Sequence, residues 1–230
     1  RLVAVTGPLP FVTLPAAAFG GALLTTFTLY RIATRAGRTS VATLLLAGVA
    51  LGALAGALTG VLTFLSDDRQ LRDLTFWSLG SLGGATWAKT ATVAPAILPV
   101  LVAVPFLARG LNALALGEAE AFHLGIAVER LKQAAILLVA VAVGASVAVS
   151  GIIGFVGIVV PHLLRLAIGP DHRVLLPASA LLGGILLVLS DMLARTLVQP
   201  AELPIGIVTA AIGAPFFLWL LLAGRRSLTP

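Results

Sequence analysis

Residues 41–65 read VATLLLAGVALGALAGALTGVLTFL, a run of 25 positions without a charged residue or a proline. Crossing the hydrocarbon core of a bilayer takes roughly 20 mostly apolar residues in a helix. The run shows no alternation of apolar and polar positions, which a barrel strand would need. Lipid offers no hydrogen bonds to a bare backbone, and a helix satisfies its own. The stretch therefore predicts one transmembrane helix, from about Val41 to Leu65.

Six further runs read the same way: about Phe11–Ile32, Thr90–Leu107, Leu131–Val149, Ile152–Ile168, Val174–Leu197 and Ile205–Ala223. The Ile152–Ile168 run is short and carries Pro161, which predicts a break there. Pro177 falls in the first turn of its run, where a missing N–H is harmless. The composition agrees with seven spans. Hydrophobic residues make up 59% of the 230 positions and charged residues 10%, with a mean hydropathy of +1.10. A soluble domain carries roughly 25% charged residues. The expected fold is an all-α polytopic membrane protein, a single transmembrane domain over residues 1–230.

The formal charge of +6 does not point to nucleic acid. The basic residues lie between apolar runs and not along one stripe. One set of connections holds Arg31, Arg35, Arg38, Arg109, Arg130, Lys132, Arg165, Arg173, Arg225 and Arg226, which is ten of the 15. The other side holds Arg1, Arg69, Arg72, Lys89 and Arg195. The richer side is expected to be cytoplasmic, with the C-terminus inside and Arg1 outside. Two connections are long enough to act. The outer one, Ser66–Lys89, carries Trp77, Trp87 and a glycine-rich turn at 80–84. The inner one, Ala108–Arg130, predicts two short helices separated near Gly117, with Leu114, Leu116, Phe122 and Leu124 as apolar contacts.

Gly48, Gly52, Gly56 and Gly60 recur every fourth residue and share one helix face. Such a face suits a tight helix–helix seam inside the subunit. It equally suits a smooth wall beside a translocation path. Asp191 and Arg195 are four apart and can pair, with Glu202 in the nearby outer turn. Together they are a headgroup-level ion pair or a charged patch for an outside partner. His123, His162 and His172 lack a second His or Cys at ligand spacing, so no metal site is expected. The chain has no cysteine, hence no disulfide and no thiolate site. There is no phosphate-binding glycine loop followed by lysine, no HExxH and no GxSxG. A catalytic role and self-powered ATP hydrolysis are not expected.

Four runs resemble the FecCD-type permeases, the membrane subunits of ABC importers for iron–siderophores, haem and cobalamin. SGIIGFVGIVVPHLLRLAIGPDHRVLLP (150–177) is similar to the family signature, and AELPIGIVTAAIGAPFFLWLLL (201–222) to its C-terminal end. ALALGEAEAFHLGI (113–126) resembles the coupling segment, and LLLAGVALGALAGALTG (44–60) a pore-side helix. The resemblance implies a ten-helix fold of which the fourth to tenth helices are visible, the first three lying outside this numbering. It implies a homodimer with the pathway at the interface. It implies two ATP-binding subunits on the cytoplasmic side, where ATP and Mg²⁺ belong, and a periplasmic substrate-binding protein. Residues 111–126 would be the cytoplasmic coupling helices. Leu114, Ala115, Leu116, Gly117, Glu118, Ala119, Phe122, Leu124 and Gly125 would meet the ATP-binding subunit. Thr39 and Ser40 match the cytoplasmic gate. Arg195, beside Glu202, matches a docking residue for the binding protein.

Transport would then proceed by alternating access in a bacterial inner membrane, with no cofactor held by this chain. FWSLGSLGGATW (76–87) looks most like the haem-importer branch, which makes haem the expected cargo and siderophore or cobalamin the alternatives. One Met and one Tyr offer little to ligate haem within the spans. A passage binds its cargo weakly, so haem remains compatible. The rival of another class is an ion-coupled secondary transporter, which the scarcity of intramembrane carboxylates disfavours.

Overall fold

The computed structural model describes residues 10–35, 37–198 and 202–226. The described residues are mostly helical: α1 (Pro10–Ala33), α2 (Val41–Phe64), α3 (Asp68–Leu79), α4 (Trp87–Leu114), α5 (Glu118–His123), α6 (Val128–Ser150), α7 (Val156–Ile168), α8 (His172–Leu197) and α9 (Ile205–Arg226). Strands β1 (Thr34–Arg35) and β2 (Arg38–Thr39) make a small antiparallel hairpin between α1 and α2. Five helices are long and apolar enough to cross a membrane: Ala16–Ala33, Val41–Phe64, Trp87–Leu114, Val128–Ser150 and His172–Leu197. Two of the seven expected spans fall on shorter apolar stretches, Val156–Ile168 and Ile205–Leu220.

The chain divides into two compact units. The first comprises Arg1–Thr75 and Thr86–Val149. Here α1 packs against α2, and α4 against α5. Gly144 of α6 sits so close to α1 that an added Cβ would meet Ala22 Cβ at 2.9 Å and the Phe19 ring at 3.3 Å. Lower down, Gln133 donates a hydrogen bond of 2.7 Å from Nε2 to the Tyr30 hydroxyl. The start of α2 is set by Ser40, whose hydroxyl accepts from the Thr43 N–H at 3.3 Å. The start of α4 is set in the same way by Thr86, accepting from the Lys89 N–H at 3.3 Å. Helix α4 continues through Pro95, Pro99 and Pro105. Membrane helices tolerate this because neighbouring groups satisfy the freed carbonyls.

The glycine face of α2 is open. A Cβ built on Gly48, Gly52, Gly56 or Gly60 would meet nothing within 4 Å. Among the described residues no helix packs on this face, and no residue of α2 is buried. Its large side chains, such as Leu46 and Val49 at 73% exposure each, suit lipid or another chain.

The second unit comprises Phe76–Ala85 and Ser150–Pro230. Helices α7, α8 and α9 pack on one another. The end of α3 and its following turn lie against the start of α9 and the segment before α7. The Ser81 N–H donates to the Ser150 carbonyl at 2.8 Å. Gly206 sits where an added Cβ would strike the Leu79 carbonyl oxygen. Ile205 and Ser190 are fully enclosed.

One element was not expected, and two expectations are corrected. The Ser66–Lys89 connection contains a helix, α3, whose mixed polarity hid it among turn residues. The break in the fifth span lies not at Pro161 but before it. Residues 151–154 are irregular, α7 opens at Val156, and Pro161 lies inside the helix. The cause is Phe155, with φ 66, the one non-glycine residue at positive φ among the described residues. Its side chain rests on Gly213 of α9, where a Cβ would overlap Phe155. That packing holds a conformation costing roughly 1–2 kcal/mol. Finally, the Ala108–Arg130 connection holds one short helix rather than two, because α4 runs on to Leu114. The 111–126 segment is thus the tail of α4, a tight turn and α5.

Candidate functional site

The site is built where the 34–39 hairpin, α5 and the start of α6 meet. Gly117 makes the turn into α5 with φ 123, a conformation that favours glycine. Glu120 folds back over that turn, so that a Cβ on Gly117 would lie 2.5 Å from Glu120 Oε2. Ala121 is fully buried and anchors the helix. The large apolar side chains around it point outward: Leu116 is 68% exposed, Phe122 71% and Leu124 63%. Leu114 is half-buried at the end of α4, while Ala115, Ala119 and Gly125 are exposed and Gly117 half-buried. This is an exposed apolar knuckle on a turn.

Beneath the knuckle lies an ion cluster. Lys132 of α6 is 7% exposed, and its Nζ reaches Glu118 Oε1 at 2.8 Å and Glu129 Oε1 at 3.3 Å. The same Nζ donates to the Thr39 carbonyl at 2.9 Å. The Thr39 N–H in turn donates to Glu129, at 3.0 Å to Oε1 and 3.1 Å to Oε2. Thr39 is buried at 3% exposure. Ser40, exposed beside it, caps α2. The expected gate pair and the expected coupling segment are thus brought together by two residues that were not expected, Glu129 and Lys132. An open cleft of ≈ 720 Å³ adjoins them, with Arg38, Glu118, Phe122, Glu129 and Arg130 among its walls.

A second cluster lies in the second unit. Arg195 Nε contacts Asp191 Oδ2 at 2.8 Å, and Arg195 Nη1 approaches Glu202 Oε1 at 3.9 Å. The Glu202 carboxylate rests on the glycine-rich turn beside Gly83. Arg195 and Glu202 remain solvent-accessible, at 44% and 60%. Exposed pairs of this kind add little stability. Among the described residues no group of His, Asp and Glu is arranged to hold a metal ion. Neither cluster pairs a nucleophile with a base. The chemistry on offer is charge, apolar contact and position.

The model of the FecCD transport family matches residues 2–223. The chain belongs to the FecCD transport family. The hemin transport system permease protein of Yersinia pestis is 50% identical over 209 residues, covering 91% of this chain and 62% of the relative. The cobalamin import system permease protein of Halobacterium salinarum is 44% identical over 226 residues, 95% of this chain and 60% of the relative. The vitamin B12 import system permease protein of Vibrio parahaemolyticus is 49% identical over 205 residues, 89% and 61% respectively. The FecCD chain thus spans about three-fifths of the length of these relatives. Its fold is similar to an inward-facing conformation of a metal-chelate type ABC transporter, with a TM-score of 0.79 and 34% identity over 93% of this chain and 74% of that one.

Proposed function

We propose that this FecCD chain is the membrane permease subunit of a binding-protein-dependent ABC importer, and that its cargo is haem. The knuckle of Leu116, Phe122 and Leu124 above the buried Lys132 carries the first half. A transporter powered through its own spans has no use for an exposed apolar knuckle at a polar end; a partner ATPase has. The hemin permease relative supports haem. The cobalamin permease relatives support cobalamin as the alternative cargo, ahead of siderophores.

In this reading two copies form a homodimer around the pathway. Two ATP-binding subunits, where ATP and Mg²⁺ act, seat on the 114–125 segment from the cytoplasm. A periplasmic binding protein docks near Arg195 and Glu202. Thr39 and Ser40 form the cytoplasmic gate. The chain performs no catalysis itself. It lies in a bacterial inner membrane with its C-terminus in the cytoplasm. The work of ATP is to shift the population between outward- and inward-open states.

The test is reconstitution of the full chain with its ATP-binding subunit and binding protein in liposomes. ATP-dependent haem uptake is expected, with cobalamin left outside. Cobalamin uptake in place of haem would move the cargo to the alternative. Uptake driven by an ion gradient without the ATPase would overturn the importer reading in favour of a secondary transporter.

A further inference from the structure

Lys132 touches three separate parts of the chain with one atom. Its ammonium has three N–H donors. The three acceptors around it belong to α5 (Glu118), α6 (Glu129) and β2 (the Thr39 carbonyl). Glu129 holds the other polar group of the same backbone residue, the Thr39 N–H. Both backbone groups of Thr39 are therefore gripped from α6. The next residue, Ser40, caps α2.

The two limbs of the cluster differ in exposure. Lys132 and Glu129 are 7% and 27% exposed, whereas Glu118 is 57% exposed. The grip on Thr39 is sheltered, where charge-assisted hydrogen bonds are strong. The link to α5 runs through a carboxylate open to solvent. A pull on α5 loads the exposed link first and reaches the hairpin through the sheltered one.

We infer that Lys132 is a positioning residue that ties α5 to the Thr39–Ser40 start of α2, with Glu118 as the releasable end of the tie. This rests on the importer reading for its purpose, though not for its geometry. Displacement of α5 by a partner then shifts the hairpin and the first turn of α2 together. Without the tie, α5 moves and the gate does not follow.

The chain contains no cysteine, so introduced thiols are unique labelling sites. Spin labels at Arg35→Cys and Ala119→Cys report the separation of hairpin and α5 in the purified full chain. Wild type is expected to give one narrow distance distribution, and Lys132→Met and Glu118→Gln broader ones. In the reconstituted complex Lys132→Met, which lies outside the 114–125 segment, should keep ATP hydrolysis near the wild-type rate. Cargo moved per ATP should fall about tenfold, the weight of roughly one charge-assisted hydrogen bond. Glu118→Gln sits on the surface and keeps the test open if Lys132→Met fails to fold. Unchanged distances overturn the tie, and so does an unchanged ratio of cargo to ATP in an assembled complex. A wild-type complex that moves no cargo sinks the importer reading and leaves the tie to be judged on the spin-label distances.

Discussion

Gly206 and Gly52 are the same residue in opposite surroundings. A Cβ on Gly206 would strike the Leu79 carbonyl, a backbone atom that cannot rotate away, whereas one on Gly52 would meet nothing within 4 Å. Gly206→Ala is therefore expected to destabilise the chain by about 1–3 kcal/mol, the usual cost of overpacking. Gly52→Ala should stabilise by up to about 1 kcal/mol through helix propensity. Thermal unfolding of the detergent-solubilised chain measures both, and equal melting temperatures would contradict the close approach of α9 to Leu79. Sequence spacing could not separate these two glycines, because what distinguishes them arrives from elsewhere in the chain. The ion cluster was hidden for the same reason. Glu129 and Lys132 look like ordinary charges at the cytoplasmic end of a span. Only the fold brings Thr39 to Lys132 across 93 positions. The Asp191–Arg195 contact, by contrast, was legible, since a helix alone places residues four apart on one face.

At the scale of elements, the apolar runs located α2, α6 and α8 within a few residues, because lipid solvation writes itself into long uninterrupted stretches; α4 runs seven residues past its expected end at Leu107. The misses came where a local conformation is imposed from outside. The α7 boundary depends on Phe155 held at positive φ against Gly213. The amphipathic α3 has no long apolar run to betray it. The open face of α2 suits one of its two expected roles, a smooth wall beside the pathway. That role predicts a separation of effects. Gly56→Leu has room among the described residues, so the unfolding free energy should hold to within about 1 kcal/mol. Cargo uptake in the reconstituted importer should drop several-fold, since the added side chain projects from the open face. Undiminished uptake with the variant fully incorporated would remove the wall reading and leave the face to lipid.

The orientation of the whole molecule decides whether these parts can act together. Ten of the 15 basic residues fall on the side that includes Arg38, Arg109, Arg130 and Lys132. On that bias α5 and the Thr39 hairpin are expected in the cytoplasm, where ATP is, and Arg69 and Arg72 of α3 outside. A membrane-impermeant maleimide applied to intact spheroplasts tests this on single-cysteine variants. Arg69→Cys is expected to label at once, and Ala119→Cys only after permeabilisation. The reverse pattern would do more than invert a topology. It would carry the apolar knuckle and Lys132 to the side without ATP, leaving no ATPase to meet Glu118. The importer reading would fall with the orientation, although the fold and the ion cluster would stand unchanged.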